Sequence, residues 1–245
     1  MTKTAFVAIV GKPNVGKSSL LNKMLGQKIA IVSSKPQTTR TKIMGVLTKG
    51  ETQLVFTDTP GFHKAHNKLG EKMNEAVGDT VGGVDACLFL AEPRGELNEQ
   101  ELQLLEMFKK QKMPVILAIN KIDMINDKEE LFKRIVYLTS FYDFTAVVPV
   151  SATEGDHVDE LIDELDKLAF ESPHFFPDDT LTDQPERVLA AEIIREKILR
   201  LMDKEIPHGI AVAVEKMRER DDKDILDIDA TIYCERESHK GMVIG

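Results

Sequence analysis

The stretch Gly11-Lys12-Pro13-Asn14-Val15-Gly16-Lys17-Ser18 decides the fold of this chain. It follows an apolar run at 5–10 and precedes a segment at 19–26 whose apolar residues recur at helical spacing. A strand, a Gly-x4-Gly-Lys-Ser turn and a helix form the context of a phosphate-binding loop. Backbone N–H groups then face an anion, and the glycines let the backbone curl closely around it. We predict that Lys17 reaches the β- and γ-phosphates and that the Ser18 hydroxyl coordinates Mg²⁺.

Most of the chain alternates between short apolar runs and amphipathic segments. Strands are predicted at 6–10, 44–47, 53–57, 86–91, 115–120 and 146–150, and helices at 17–25, 69–81, 98–110, 128–140 and 157–170. This alternation predicts a doubly wound α/β sheet, mostly parallel and covered on both faces. One strand is expected to be antiparallel, because the turn at 49–51 is too short for a crossover. Ligands bind at the carboxyl ends of the strands in such a sheet.

The composition is that of an ordinary globular chain. It has 245 residues, 42% of them hydrophobic, and a formal net charge of −9. This charge argues against broad, non-specific binding to nucleic acid and still allows a local basic surface. No apolar run approaches the ~20 residues that span a bilayer, and we see no signal peptide before the first strand. Cys87 and Cys234 cannot form a disulfide framework, so a reducing cytosol is expected.

Two more motifs directly follow predicted strands. In Asp58-Thr59-Pro60-Gly61, Asp58 is placed to hold Mg²⁺ and the Gly61 N–H to approach the γ-phosphate. In Asn120-Lys121-Ile122-Asp123, a carboxylate at Asp123 accepts from N1–H and N2–H₂ of guanine, a donor pair that adenine lacks. Asn120 is expected to tie this loop to the phosphate loop, and the Lys121 stem to lie over the base. The sequence therefore predicts a site for guanine nucleotides.

Two weaker stretches complete the predicted site. After the strand at 146–150, Ser151-Ala152 is expected to bring the Ala152 N–H to the guanine O6. Pro36-Gln37-Thr38-Thr39-Arg40-Thr41 occupies the place of a switch loop, in which one Thr binds Mg²⁺ and contacts the γ-phosphate. We favour Thr39, but the adjacent Thr38 is an open alternative, and a plain polar surface loop is another.

The candidate site falls into three groups of residues. The predicted catalytic residues are Lys17, Thr39 and Gly61, and the predicted metal ligands are Ser18, Thr39 and Asp58. The predicted nucleotide contacts are Gly11, Lys12, Pro13, Asn14, Val15, Gly16, Lys17, Ser18, Ser19, Thr38, Asp58, Thr59, Pro60, Gly61, Asn120, Lys121, Asp123, Ser151 and Ala152.

With these motifs in place, the chain resembles the GTPase superfamily of Ras-like P-loop NTPases. The phosphate loop together with Gln37-Thr38-Thr39-Arg40 is similar to the Era family of bacterial GTPases. The likeness covers essentially the whole chain and includes the stretches at 182–187, 191–197 and 205–208. The resemblance implies a switch that binds GTP or GDP with Mg²⁺, hydrolyses GTP and acts in small-subunit ribosome assembly.

The resemblance carries further expectations. It implies binding to the small ribosomal subunit and its 16S rRNA, and a cytoplasmic location with peripheral association at the inner face of the cell membrane. We also expect a monomer. In related GTPases the residue that matches Asn14 helps to bind K⁺, which implies a K⁺ site here. Phe62 stands where many GTPases have a water-orienting Gln, so slow intrinsic hydrolysis is expected.

The resemblance also divides the chain into domains: a GTP-binding domain at 1–171, a Pro-punctuated linker at 172–185, and a partial KH-like α+β domain at 186–245. A helix at 186–202 and strands at 210–214 and 228–234 resemble the start of a KH domain, which clamps RNA with a Gly-x-x-Gly loop. The sequence stops at Gly245, at or before the first Gly of that loop. We therefore assign no RNA-binding residue and expect residues 1–245 alone to bind rRNA poorly.

Three alternatives remain open at the level of sequence. A P-loop kinase would transfer the phosphoryl group to a metabolite, although Asn120-Lys121-Ile122-Asp123 selects guanine and serves no acceptor. A nucleotide-binding interaction module would not turn GTP over. Another GTPase of the same branch would act in RNA modification.

Overall fold

The structure is a computed structural model of the 245-residue chain. It describes residues 1–33, 38–39, 42–59, 80–202, 209–221 and 223–244. The predicted site residues Pro60 and Gly61, with Phe62, lie outside the described residues, as does the predicted helix at 69–81 up to residue 79.

The first unit is a seven-stranded sheet. Its strands are β1 (Lys3–Val10), β2 (Ile43–Lys49), β3 (Thr52–Asp58), β4 (Ala86–Ala91), β5 (Val115–Asn120), β6 (Ala146–Val150) and β7 (Phe170–Glu171). The order is β2-β3-β1-β4-β5-β6, and β7 pairs with β1. The pairs β3–β1, β1–β4, β4–β5 and β5–β6 are parallel, and β2 is antiparallel to β3. The predicted mostly parallel sheet with an antiparallel β2 is confirmed.

Helices cover both faces of this sheet. They are α1 (Lys17–Leu25), α2 (Glu99–Gln111), α3 (Lys128–Thr139) and α4 (Val158–Asp166). Side chains of α1 and α4 share one buried cluster with Ile9, whereas those of α2 and α3 share another with Ala8 and Val10. Neighbouring residues of β1 thus enter opposite cores, as the alternation of side chains along a strand requires.

The predicted C-terminal end of the last helix in this unit was wrong. The helix expected at 157–170 is α4, which ends at Asp166, and Phe170–Glu171 forms β7 instead. β7 pairs antiparallel with Lys3 and Thr4 of β1, whereas β4 joins β1 only from Val7 onward. The first residues of β1 therefore offer backbone groups on that side, and pairing with them outweighs the helical periodicity of the sequence.

The segment predicted as a linker, 172–185, is fixed onto the sheet. The buried Gln53 side chain accepts hydrogen bonds from the Phe175 and Phe176 N–H groups, at 2.8 and 3.0 Å, and donates to the Phe176 carbonyl at 2.9 Å. The Phe175 ring meets Phe6 edge-on, with 5.0 Å between centroids. Thr182 bridges to Gly45 of β2. The segment thus covers a neighbouring surface of the first unit.

The second unit comprises α5 (Glu186–Leu201), β8 (Ile210–Arg220), β9 (Lys223–Cys234) and α6 (Glu237–Ile244). β8 and β9 form an antiparallel pair, with both strands longer than predicted. The sequence did not predict α6. The domain boundaries at 171/172 and 185/186 stay predictions. In the described part of the chain, no helix has the length and apolar character that crossing a bilayer requires.

Candidate nucleotide-binding site

The phosphate loop joins β1 to α1 through a backbone that needs glycine. Gly11 and Gly16 have φ of 147° and 105°, and Asn14 adopts φ of 61°. A Cβ on Gly16 would lie 2.1 Å from Nδ2 of Asn120, and one on Gly11 would lie 2.5 Å from the Leu90 carbonyl oxygen. The loop is therefore packed directly against the C-terminal ends of β4 and β5, at a distance only glycine allows.

Lys17 is held inside this loop. Its side chain is 6% exposed, and the ammonium donates to the carbonyl oxygens of Gly11 and Lys12 at 3.1 and 3.0 Å. Burial lowers the pKa of Lys17 to about 8, although the carboxyl groups of Asp58 and Glu101 act in the opposite direction. A cation held by two carbonyls within an anion-binding loop is positioned to bind phosphate oxygens.

Three side-chain oxygens meet beside the loop. The Ser18 hydroxyl donates to Oδ2 of Asp58 at 2.6 Å and lies 3.0 Å from Oγ1 of Thr39. Thr39, rather than Thr38, thus brings its hydroxyl to this group. Burial raises the pKa of Asp58 to about 6, opposed by the charge of Lys17 and by hydrogen bonds from Ser18 and Thr39.

This group of oxygens fits a small divalent cation. Asp58 is fully buried, and its Oδ1 has no hydrogen-bond partner in the described part of the chain. An unpaired buried carboxylate oxygen is costly unless a cation or proton compensates it. Oxygen ligands with a single carboxylate are typical of Mg²⁺ sites that are completed by phosphates and water. No group of three or more His, Cys, Asp or Glu in the described residues could hold a metal alone.

The Thr59 side chain is bonded within the sheet. It is 1% exposed, and its hydroxyl donates to the Ile9 carbonyl of β1 at 2.8 Å. The side chain therefore ties the end of β3 to β1, because a buried hydroxyl needs a partner. The Lys12 ammonium pairs with Glu92 at 2.5 Å, and the Lys12 backbone carbonyl accepts a hydrogen bond from Lys17.

Asn120 connects three loops. Its Nδ2 donates to the Val15 carbonyl at 2.8 Å, and its Oδ1 accepts from the Ala152 N–H at 3.0 Å. The first bond ties Asn120 to the phosphate loop, as the sequence predicts. The sequence also predicts that the Ala152 N–H meets the guanine O6, whereas here that donor is bonded to Asn120. A contact with O6 requires this hydrogen bond to be shared or exchanged.

Lys121 is positioned by a residue that sequence reasoning missed. Lys121 has φ of 69°, and its ammonium donates to the Asn14 carbonyl at 2.9 Å and pairs with Glu92 at 2.5 Å. Glu92 also pairs with Lys12, and these two lysines lower its pKa despite the opposing effect of burial. The available signal was its position, since Glu92 directly follows the buried strand β4 at the edge where ligands bind.

Asp123 lies in the first turn after β5, in the 3₁₀ segment Ile122–Met124. Its Oδ1 accepts a 2.7 Å hydrogen bond from the Ser151 hydroxyl, and Ser151 Oγ in turn accepts from the Glu154 N–H at 3.2 Å. The Asp123 side chain is exposed in this structure. Its position is nevertheless fixed by Ser151, which is fully buried.

A cavity of about 320 Å³ runs between these groups. Its phosphate end is formed by loop residues between Pro13 and Ser19, its base end by Asn120, Lys121 and Ala152, and its remaining wall by segment 31–33 with Thr38 and Thr39. A phosphate cradle and an Asn-Lys-x-Asp loop that line one cavity, both at the carboxyl edge of this sheet, define a P-loop GTPase.

Comparisons with known proteins identify the family. A family model described as 50S ribosome-binding GTPase matches residues 6–121, and a KH-domain model matches residues 205–245. GTPase Era of Clostridioides difficile (strain 630) is 49% identical over 245 residues, which is 100% of this chain and 82% of that protein. The chain belongs to the Era family of GTPases, which confirms the resemblance read from the sequence.

Solved structures agree with this assignment. A point variant of Aquifex aeolicus Era bound to GDP·AlF4⁻ matches with a TM-score of 0.92 and 38% identity, over 100% of this chain and 83% of that one. Era in complex with MgGDPNP and nucleotides 1506–1542 of 16S ribosomal RNA matches with a TM-score of 0.93, also at 38% identity and with the same coverage of both chains. The enzyme class is therefore a GTP hydrolase, and the alternative of a P-loop kinase is excluded.

Proposed function

We propose that this chain is a Mg²⁺-dependent GTPase switch whose nucleotide state controls its binding to small-subunit ribosomal RNA in ribosome assembly. The observation that carries the proposal is the meeting of Ser18, Thr39 and the unpaired Oδ1 of Asp58 beside the buried ammonium of Lys17. The loop that forms the base end of the same cavity carries Asp123. A site with these two ends recognises both guanine and the terminal phosphate.

Each group has a role in this proposal. Ser18, Thr39 and Asp58 would hold Mg²⁺, which would supply positive charge to offset that of the nucleotide phosphates. Lys17 exchanges its two carbonyl partners for phosphate oxygens, and Thr39 contacts the γ-phosphate. Gly61 donates its N–H to the same phosphate. Asp123 accepts from guanine, and Lys121 lies over the base.

Ser18→Ala tests the hydrolytic role. We expect Mg²⁺-dependent release of phosphate from GTP to fall about a hundredfold, the scale for loss of one group that stabilises a charged transition state. Ser172→Ala is the matched control, because that hydroxyl lies outside the site and, among the described residues, hydrogen-bonds only to the neighbouring Pro173 carbonyl. Equal rates in wild type and Ser18→Ala would remove Ser18 from the site.

The raised pKa of Asp58 gives a pH prediction. The carboxyl group is protonated below its pKa of about 6, and a proton competes with Mg²⁺ for the same oxygens. We expect ¹³C NMR of the Asp58 carboxyl to titrate near pH 6 in the nucleotide-free protein, and at a lower pH once Mg²⁺ and GDP are added. A midpoint near 4 without nucleotide would contradict the burial argument.

The proposed RNA partner rests on the 38% identical Era solved with nucleotides 1506–1542 of 16S ribosomal RNA, and on the KH match at 205–245. A fluorescently labelled RNA of that sequence is titrated against the chain with a non-hydrolysable GTP analogue and with GDP. We expect tighter binding in the GTP-analogue state, even where both affinities are modest. Identical affinities in the two states, or equal competition by unrelated RNA of the same length, would contradict the proposal.

The remaining assignments belong to the same proposal. We place the chain in the cytoplasm as a monomer, with peripheral association at the inner face of the membrane, which cell fractionation and light scattering test. We assign K⁺ to Asn14, whose left-handed backbone presents its carbonyl to Lys121. Hydrolysis rates in K⁺ and Na⁺ buffers test that assignment, and equal rates would remove it.

A further inference from the structure

The helix that follows the linker segment reaches the wall of the nucleotide cavity. Helix α5 buries four residues, and two of them, Arg195 and Glu196, are ionisable. Their exposed fractions are 2% and 0%. Arg and Glu are almost never buried to this extent unless they are paired, so their partners indicate what the helix holds.

Arg195 holds the peptide that carries Thr39. Its Nη2 donates to the Thr38 carbonyl, and the guanidinium also bonds Glu192 on its own helix, at 2.6 and 2.9 Å. Nη1 of Arg195 is buried without a hydrogen-bond partner in the described residues. Within the described part of the chain, the Thr38 carbonyl is thus the hydrogen-bond partner of Arg195 beyond α5. That carbonyl belongs to the peptide whose nitrogen is that of Thr39.

Glu196 holds the neighbouring wall. It accepts from the Val32 N–H at 3.1 Å and pairs with Lys28 and, at 2.7 Å, with Arg200. Arg200 also donates to the Val32 carbonyl at 3.1 Å. Val32 and Thr38 line the same cavity. Helix α5 of the second unit therefore forms hydrogen bonds to the backbone at Val32 and at Thr38, the two segments that form one side of the nucleotide site.

We propose that Arg195 is a positioning residue of the GTPase site. By fixing the Thr38 carbonyl, it holds the Thr39 hydroxyl against Ser18, and so makes the response to the γ-phosphate depend on the docking of α5. This inference rests on the proposed function, in which Thr39 contacts the γ-phosphate. Coupling between two events is reciprocal, so a bound γ-phosphate also strengthens the docking of α5.

The inference predicts a selective effect on the GTP state. GDP offers no γ-phosphate to Thr39, and its affinity depends on the phosphate loop and the base loop. Arg195→Gln should therefore lower the affinity for a non-hydrolysable GTP analogue and the kcat for GTP about tenfold, with GDP affinity within about twofold. Arg195→Lys keeps the charge but loses the planar fork of donors, so it should recover only part of the loss.

Fluorescence titrations with the GTP analogue and GDP, together with single-turnover hydrolysis, measure these effects. Lys197→Gln is the matched control, because it removes a positive charge from an exposed position of the same helix. GTP-analogue and GDP affinities that fall equally would reduce Arg195 to a merely structural role and overturn the inference, as would an unchanged kcat.

If Arg195→Gln does not fold, the ratio of GTP-analogue affinity to GDP affinity in Arg195→Lys decides instead. Wild type that fails to hydrolyse GTP refutes the proposed function, whereas active wild type with an insensitive Arg195 refutes only this inference.

Discussion

Replacing Gly16 with alanine is expected to lower guanine-nucleotide affinity at least a hundredfold. The added Cβ would lie 2.1 Å from Nδ2 of Asn120, where no real Cβ contact occurs. That amide is bonded to the Val15 carbonyl at 2.8 Å and cannot move without breaking the tie between the phosphate loop and the base loop. Gly16 also has φ of 105°, which an L side chain adopts only under strain.

The size of the effect follows from these two costs. A strained backbone costs about 1–3 kcal/mol, and an unsatisfied buried polar group costs about 1–3 kcal/mol more. Near the middle of these ranges, the two together exceed the ~2.8 kcal/mol that corresponds to a hundredfold change in affinity. Both ends of the cavity are disturbed, because Asn120 belongs to the base loop.

Gly26→Ala provides the control. Gly26 ends the same helix with φ of 67°, and a Cβ there would meet nothing within 4 Å. We expect it to cost about 1 kcal/mol of stability while nucleotide affinity stays within about twofold. Titration with a fluorescent GDP analogue, beside thermal unfolding of both variants, measures the difference. Gly16→Ala with affinity within tenfold of wild type would contradict the clash.

Sequence alone predicted the parts of the site that local chemistry determines. The phosphate loop is contiguous, and its glycines, Lys17 and Ser18 have fixed spacing. Asp58 and Asn120 end buried strands, so a parallel sheet must bring them to the same edge. The order of strands and helices could also be predicted, because side-chain burial imposes a period of 2 residues on strands and of 3.6 residues on helices.

Contacts between segments that are far apart in the chain could not be predicted from the sequence. Arg195 and Thr38 are 157 positions apart, and no periodicity relates them. Glu92 forms ion pairs with Lys12 and Lys121, which belong to two separate loops. Thr38 and Thr39 are chemically alike, and only the fold brings the Thr39 hydroxyl to 3.0 Å from Ser18. The end of α4 was misplaced for a related reason, since pairing of Phe170–Glu171 with β1 is a tertiary interaction that outweighs local helical preference.

Asp123→Asn is expected to exchange the base preference of the site from guanine to xanthine. A carboxylate accepts two hydrogen bonds from the N1–H and N2–H₂ donors of guanine. An amide presents one acceptor and one donor, which matches the N1–H and the C2 carbonyl of xanthine. Because Ser151 Oγ accepts from the Glu154 N–H, its own hydrogen is directed to Oδ1 at position 123, and the asparagine oxygen can occupy the same place.

The magnitude follows from loss of charged hydrogen bonds, each worth about 1.5–3 kcal/mol, together with a repulsive contact between the amide and the guanine amino group. GTP affinity should therefore fall at least about a hundredfold, and xanthosine triphosphate should become the preferred ligand. Competition of GTP, xanthosine triphosphate and ATP for a bound fluorescent nucleotide measures the preference. Asp127→Asn makes the same chemical change at the exposed N-terminal cap of α3, where asparagine caps equally well, and should leave every affinity unaltered. A variant at position 123 that still prefers GTP would mean that the base is selected elsewhere, and Asp123 would then serve only to order the loop through Ser151.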